Sequence, residues 1–180
     1  MKEISLNILD ISENSVKAKA TLVEISIEET DEQLTLTISD NGTGMTDEVQ
    51  KSVTDPFYTT RTTRKVGMGL PLLRLAAEQT GGSMSVTSRH FSKFPNDHGT
   101  CVRATFFKTH IDYTPLGDAA SSLITLIQGH PDIDFLYRHT CPNREVILDT
   151  RELREVLEGV PLDTFEVLIW IKENLAEQYL

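Results

Sequence analysis

Long hydrophobic runs and paired cysteines are both missing from this 180-residue chain. Its longest apolar run, residues 167–171, is far shorter than the roughly 20 residues that a membrane-spanning helix needs. The opening Met-Lys-Glu-Ile-Ser lacks the apolar stretch of a secretory signal. Cys101 and Cys141 form no CxxC motif, which disfavours a disulfide framework and a structural zinc site. We therefore expect a cytoplasmic protein with no membrane partner.

Positive charge is also scarce, because 17 Lys and Arg residues face 27 Asp and Glu residues, for a net charge of −10. Nucleic acids need a basic face, so we expect none as the main partner. Residues 1–108 hold 12 basic against 14 acidic side chains, whereas residues 109–180 hold 5 against 13. This asymmetry predicts two parts, and the acidic second part either docks a basic partner or only maintains solubility.

The motif GxxxxGK[ST] is absent, which excludes P-loop chemistry. What the chain does contain is ISDNGTGM at residues 38–45, where an alternating strand, residues 34–39, runs into a turn. Asp40 at this strand end can accept a hydrogen bond from an exocyclic amine, and Gly42 and Gly44 let a flat ring approach the backbone. The same tripeptide also makes ordinary hairpin turns, so the segment alone leaves both interpretations open.

A helix is predicted over about residues 2–19 by a 3.6-residue stripe of apolar or small side chains. Asp10, Asn14 and Lys17 lie on one flank of this helix, so that they either converge on one ligand or form a solvated face. A strand over residues 22–27 then forms a hairpin with residues 34–39, and residues 46–52 predict a helical turn.

The next segment, DPFYTTRTTRKVGMGLPLL, has no hydrophobic periodicity before Leu70, and such loops are often functional. Its cations can neutralise phosphate, and Gly67 and Gly69 open backbone N–H groups toward an anion before a helix over residues 70–80. Pro71 is expected at the first position of that helix, and Gly81-Gly82 at its end. A flexible surface loop is the alternative. Strands over residues 83–88 and 100–108 complete an α/β sandwich.

The second part predicts a helix over residues 119–129, strands over residues 132–139 and 144–149, and helices over residues 151–158 and 163–179. The apolar stripe of the last helix is expected to be its packing face. The histidines are expected in loops or at strand ends. His139 and Cys141 are close enough to share a metal, but two ligands do not make a site.

In combination, these segments resemble the ATP-binding domain of DNA gyrase B, heat-shock chaperones, histidine kinases and mismatch-repair ATPases, the GHKL superfamily with its Bergerat fold. LDISENSVKAKAT is similar to the N box, and DNGTGM to the G1 box. PFYTTR followed by GMGLPLL is similar to the F and G2 boxes, and TGGSMSV with a later His-Gly-Thr to the last strands. The resemblance covers about residues 1–108 and implies an α+β fold, a two-layer α/β sandwich. No family resemblance is recognised in residues 109–180, which are expected to form a small α+β extension.

The resemblance implies ATP and Mg²⁺ as cofactors, with Asn14 as the metal ligand and Asp40 as the acceptor of a hydrogen bond from the adenine amine. Gly42 and Gly44 would lie beside the purine, and Thr100 would support Asp40 or a water. Lys17 matches a basic position of histidine kinases. Phe57 would lie at the root of the ATP lid, and Gly67 and Gly69 against the phosphates. The other nucleotide-binding residues would be Met45, Thr60, Arg61, Arg64, Lys65, Met68 and Leu70.

One departure from the family pattern bears on mechanism. ATPases of the superfamily place a Glu four residues before the Asn, whereas this chain has Asp10, one methylene shorter. A misplacement of about 1 Å can cost on the order of 10²-fold in rate, so hydrolysis by Asp10 as the catalytic base stays open. Glu13 is expected to point to solvent.

The predicted function is therefore that of an ATP·Mg²⁺-binding protein of histidine-kinase-like type that acts on an unidentified partner protein. Three activities stay open: a kinase acting in trans on a His or Ser, as anti-sigma-factor kinases do; a slow ATPase; or a nucleotide sensor without turnover. The chain begins within the family's first helix, so we expect no sensor or dimerisation module upstream. A homodimer stays open.

Overall fold

The computed structural model describes residues 3–54 and 68–180, and a six-stranded sheet organises them. Its strands are β1 (Leu22–Glu29), β2 (Gln33–Asp40), β3 (Ser83–Arg89), β4 (Gly99–Phe107), β5 (Asp134–Cys141) and β6 (Arg144–Asp149). They lie in the order β3-β4-β2-β1-β5-β6, and all neighbours are antiparallel except β1 and β5. The mixed α+β architecture predicted from the sequence is confirmed.

Six helices occur in the described part of the chain. They are α1 (Ile4–Lys17), α2 (Asp47–Thr54), α3 (Gly69–Gln79), α4 (Ala119–Gly129), α5 (Thr150–Leu157) and α6 (Phe165–Gln178). None of these helices is long and apolar enough to cross a bilayer. The apolar stripe of α1 is buried as predicted, since Ile4 and Ile8 are fully inaccessible to solvent.

Helix α3 starts one residue earlier than its sequence pattern indicates. Because the helix begins at Gly69, Pro71 is its third residue and not its first. Proline is still tolerated there, since the first four N–H groups of a helix have no intrahelical acceptor. The C-terminal glycines behave as expected: Gly81 has a φ of 80°, and its N–H donates to the Glu78 carbonyl at 2.9 Å.

The β1–β2 hairpin brings Asp40, the residue predicted to bind the adenine amine, to the end of an interior strand near α1. Asp40 is the last residue of β2 and pairs with Val23 on one side and Thr100 on the other. Apolar side chains of β2 alternate toward the helices, and Leu34, Leu36 and Ile38 are each at most 2% exposed. Burial of such side chains stabilises the sheet by about 1.5–3 kcal/mol each, which holds Asp40 on a rigid strand.

Residues 109–180 continue the same sheet. Strand β5 lies parallel to β1, with Val23 opposite Phe135, and β6 forms a hairpin with β5. Phe135 and Tyr137 are fully buried, and they belong to the same hydrophobic cluster as Ile8 and Ile25. Strand β1 is therefore a central strand, with backbone partners on both sides.

One prediction made for a single side chain is wrong, and a second one missed a contact. His139 lies within β5 and is only 4% exposed, because the strand runs on to Cys141 and the Phe135–Tyr137 alternation continues through it. The Glu13 side chain is 42% exposed, in line with the prediction, but its Oε1 also lies 2.8 Å from His130 Nε2. The Glu13–His130 contact joins segments 117 residues apart, so no local periodicity indicates it.

The shared sheet predicts that the chain unfolds as one unit. Trp170, the single tryptophan, lies on α6, whose Val167, Ile171 and Leu175 are buried in the common core. In urea, we expect the change in Trp170 fluorescence and the loss of far-ultraviolet circular dichroism to share one midpoint. A Trp170→Phe variant should keep that midpoint by circular dichroism. An earlier fluorescence transition would show that the C-terminal segment unfolds separately.

Candidate functional site

A pocket opens between α1, the ends of β2 and β4, and the first turn of α3. Its wall is largely apolar, with a small number of polar groups that converge from different elements. Such a lining suits a flat organic ligand held in place by a few directed hydrogen bonds. The lining residues are Ile11, Asn14, Ser15, Lys17, Ala18, Ile38, Asp40, Gly44, Met45, Val49, Leu70, Thr100 and Val102.

The Asp40 carboxylate is the only acidic group among the described residues that line this pocket. Its Oδ2 accepts a hydrogen bond from Ser15 Oγ at 2.6 Å, and its Oδ1 accepts one from the Gly42 N–H at 2.8 Å. An ionised carboxylate has about four acceptor positions, so these two bonds orient Asp40 and leave capacity for a ligand donor. Asp40 is half-buried, which keeps it open to a ligand from the pocket side.

Several hydrogen bonds to backbone N–H groups hold the turn after Asp40 in place. Asn41 Oδ1 accepts from the Thr21 and Leu22 N–H groups at 2.9 and 3.0 Å. The Thr43 N–H donates to the Ala18 carbonyl at 2.8 Å, and the Met45 N–H donates to Ser88 Oγ at 2.7 Å. The floor of the pocket is therefore held by α1, β1 and β3 before any ligand arrives.

The glycines of this turn are required by neighbouring protein atoms. Gly44 has a φ of 69°, and a Cβ built there would lie 2.0 Å from the Arg89 carbonyl oxygen. A Cβ at Gly42 would lie 2.7 Å from the Ala18 carbonyl oxygen. Gly44 lines the pocket whereas Gly42 does not, although Gly42 binds Asp40 through its N–H. Close packing within the protein is thus one reason for glycine at both positions.

Gly44→Ala should destabilise the fold more than a glycine replacement elsewhere with the same left-handed backbone. Gly159 has a φ of 100° and no atoms within 4 Å of its would-be Cβ, so Gly159→Ala isolates the backbone cost of about 1–2 kcal/mol. We expect Gly44→Ala to cost about 1–3 kcal/mol more, because its Cβ meets rigid backbone. Urea unfolding of both variants measures the difference, and equal costs would contradict the clash.

Helix α1 presents the three predicted polar residues to different degrees. Asn14 is half-buried and Lys17 is exposed, and both line the pocket. Asp10 is exposed and lies one turn away, outside the lining. A Cβ built at Gly69 would be 3.0 Å from Asp10 Cβ, so Asp10 sits against the first residue of α3. The flank of α1 therefore runs from the pocket toward the N-terminus of α3.

The predicted site residues divide into three groups. The pocket brings together seven of them: Asn14, Lys17, Asp40, Gly44, Met45, Leu70 and Thr100. Asp10, Gly42, Met68 and Gly69 lie outside the lining, and Met68 is 73% exposed. Phe57, Thr60, Arg61, Arg64, Lys65 and Gly67 lie outside the described residues.

Sequence reasoning missed Ser15 as a partner of Asp40. Ser15 occurs in the apolar stripe of α1, where it counted only as a small residue, and its hydroxyl is the group that contacts the carboxylate. Thr100 Oγ1 lies 2.8 Å from Ser88 Oγ, which in turn accepts from Met45. A polar residue in an otherwise apolar stripe is the one signal that could have drawn attention to Ser15.

A second cavity also borders Asp40 and Thr100, and Cys101 contributes to its wall. Burial raises the pKa of the Cys101 thiol, and the nearby Asp40 and Glu24 charges raise it further against the opposing effect of Arg103. The thiol is therefore neutral near pH 7, unlike an activated nucleophile.

The chain is similar to known proteins in both sequence and fold. Residues 2–110 match the family of histidine kinase-, DNA gyrase B- and HSP90-like ATPases. The signal transduction histidine-protein kinase AtoS of Escherichia coli (strain K12) is 31% identical over 88 residues. That match spans 49% of this chain but only 14% of AtoS.

Two solved structures share the fold at low sequence identity. The N-terminal domain of a DNA repair protein superposes with a TM-score of 0.55 at 17% identity, covering 83% of this chain and 53% of that one. The Aquifex aeolicus MutL ATPase domain complexed with ADP gives 0.53 at 19% identity, covering 88% and 70%. With a family match over more than half of its length, the chain belongs to the histidine kinase-, DNA gyrase B- and HSP90-like ATPases, and it contains their ATP-binding domain.

Proposed function

We propose that the chain binds ATP·Mg²⁺ in the pocket beside α1 and that nucleotide binding switches or powers a partner protein. Asp40 accepts a hydrogen bond from the adenine amine, and the apolar wall encloses the ring. Asn14 and Lys17 face the phosphates, together with the N-terminus of α3. ATP can switch the partner only to the extent that the partner binds the ATP-bound and ATP-free states of the chain with different affinities.

The observation that carries this proposal is the orientation and partial burial of the Asp40 carboxylate. Its carboxylate is oriented by Ser15 and by the Gly42 N–H, yet it is half-buried in a pocket whose other walls are mostly apolar. A carboxylate in such a place accepts a donor from a ligand at about twice the strength of a neutral acceptor. Adenine offers an amine donor on an otherwise flat ring, which matches both features.

The opposite end of the pocket suits phosphates and a hard cation. Lys17 supplies positive charge at the rim, and Leu70 lies in the first turn of α3, where backbone N–H groups and the helix dipole favour an anion. Asn14 offers a single amide oxygen on the lining, and Mg²⁺ commonly takes one or two protein oxygens besides phosphates and water. The donor set thus suits Mg²⁺ bound with the nucleotide, where the ion would neutralise phosphate charge.

Asp10 makes an ATPase or a kinase a realistic alternative to a pure sensor. The residue is exposed and lies against Gly69, the first residue of the helix whose N-terminus faces the phosphate end. A carboxylate there can accept a proton from an attacking water or from a hydroxyl of an acceptor protein. Residues farther from α3 on the same helix are less suited, so Asp10 is the proposed base for either reaction.

The fate of the γ-phosphate separates the three activities. The full chain is incubated with Mg²⁺ and γ-labelled ATP, alone and with proteins encoded by neighbouring genes. Label on an acceptor protein supports a kinase in trans, and released phosphate without an acceptor supports an ATPase. ATP that stays bound and intact supports a sensor. Failure to retain ATP at all, at concentrations up to about 1 mM, would overturn the proposal of an ATP-binding switch.

A further inference from the structure

Three potential metal ligands meet at the end of β1 that is opposite to Asp40. Glu29 is the last residue of β1, and Cys141 is the last residue of the parallel strand β5. His139 Nε2 lies 3.1 Å from Glu29 Oε2 and 3.4 Å from Cys141 Sγ. All three ligand atoms fall within 4.8 Å of one another. The sequence offers His139 and Cys141 as neighbours, and strand pairing adds Glu29 from 110 residues away.

The surrounding side chains orient these ligands. Tyr179 Oη lies 2.9 Å from His139 Nδ1 and 2.6 Å from Tyr137 Oη, so the other ring nitrogen, Nε2, faces Glu29 and Cys141. Lys108 Nζ donates to Glu29 Oε1 at 2.6 Å, while Oε2 faces the histidine. Metal-ligating histidines commonly have their second nitrogen fixed in this way, and ligating carboxylates have hydrogen-bond partners of their own.

Two of the three distances between ligand atoms are close to those of a tetrahedral site. With bonds of about 2.0–2.3 Å to N, O and S, ligand atoms on a tetrahedral zinc lie roughly 3.3–3.6 Å apart. The two pairs that include His139 are at 3.1 and 3.4 Å, within a few tenths of an ångström of these values, and the Glu29 and Cys141 ligand atoms lie within 4.8 Å of each other.

We propose that Glu29, His139 and Cys141 bind one Zn²⁺ ion, with water in the fourth position. The mixed O, N and S donor set selects a borderline-soft transition metal and disfavours Mg²⁺ and Ca²⁺, which take oxygen ligands. The ion links the end of β1 to the end of β5, and through Tyr179 to the end of α6. This site is separate from the nucleotide pocket and does not depend on the proposed function.

Cobalt titration of the full chain, stripped of metal with a chelator, tests the donor set directly. We expect one Co²⁺ per chain, a thiolate-to-cobalt charge-transfer absorption, and loss of that absorption when Zn²⁺ is added. Cys141→Ser should lack the absorption, whereas Cys101→Ser, which changes the cysteine in β4, should keep it. No charge-transfer absorption in the parent chain, or the same absorption in Cys141→Ser, would overturn the proposal.

The carboxylate ligand is tested by a second variant that avoids the buried histidine. Glu29→Gln keeps the size of the side chain and the sulfur ligand, so the charge-transfer absorption should still form at high Co²⁺. The Zn²⁺ affinity, measured by competition with a chelating dye, should fall by about 10-fold or more, because losing even an outer-shell partner costs 10–100-fold. Unchanged Zn²⁺ affinity in Glu29→Gln would remove Glu29 from the site and overturn the three-ligand proposal.

Discussion

Asp40→Ala is expected to abolish the rise in melting temperature that ATP·Mg²⁺ produces in the parent chain. A ligand that binds only the native state contributes about 2.7 kcal/mol of stability at a hundredfold excess over its Kd. The variant loses a charge-assisted hydrogen bond to adenine, worth about 1.5–3 kcal/mol, and it also leaves Ser15 Oγ and the Gly42 N–H without their acceptor. Thermal unfolding with and without ATP measures the effect for each variant against its own ligand-free state.

Asp31→Ala is the matched control for this experiment. Asp31 is exposed in the turn between β1 and β2, so the control removes one carboxylate without touching the pocket. We expect the control to keep the full ATP-dependent shift. A full ATP-dependent rise in melting temperature in Asp40→Ala would instead show that this carboxylate does not bind adenine.

The second large effect is expected from Asn14 and Asp10, which have different proposed roles: Asn14 in ATP binding and Asp10 in catalysis. Asn14 lines the pocket, whereas Asp10 lies outside it against Gly69. Asn14→Ala should therefore weaken ATP binding in Mg²⁺. Asp10→Asn preserves size and an acceptor oxygen, so binding should stay nearly intact while hydrolysis or transfer falls by roughly 10²–10⁴-fold, the usual contribution of a positioned base.

Calorimetric titration with ATP and a turnover assay on the same protein samples measure both halves of this prediction. Glu13→Gln, next to Asn14 on α1 but paired with His130, is the control and should change neither quantity appreciably. Unchanged turnover in Asp10→Asn would place the base elsewhere. Strongly weakened binding in Asp10→Asn would mean that Asp10 contacts the nucleotide, contrary to the proposed division.

Periodicity predicted the local elements because each has one apolar face. The stripe from Ile4 to Ala18 predicted α1, and the alternation of Leu34, Leu36 and Ile38 predicted the strand that ends at Asp40. The family resemblance then placed Asn14 and Asp40 in one site, and the fold brings both to one pocket.

Pairing between distant segments was not readable from the sequence. The alternation of β5 shows that it is a strand, but nothing in it shows that it lies parallel to β1 and extends the sheet of the first part. The burial of His139 and its approach to Glu29 follow from that pairing. The Ser15 contact with Asp40 was missed for the same reason, since the two residues lie 25 positions apart.

The most direct test of the central claim is a crystal structure of the chain with Mg²⁺ and a non-hydrolysable ATP analogue. We expect an adenine amine within hydrogen-bond distance of Asp40, an Asn14 oxygen on the metal, and phosphates near the N-terminus of α3. Nucleotide bound away from this pocket, or adenine turned so that its amine does not meet Asp40, would contradict it.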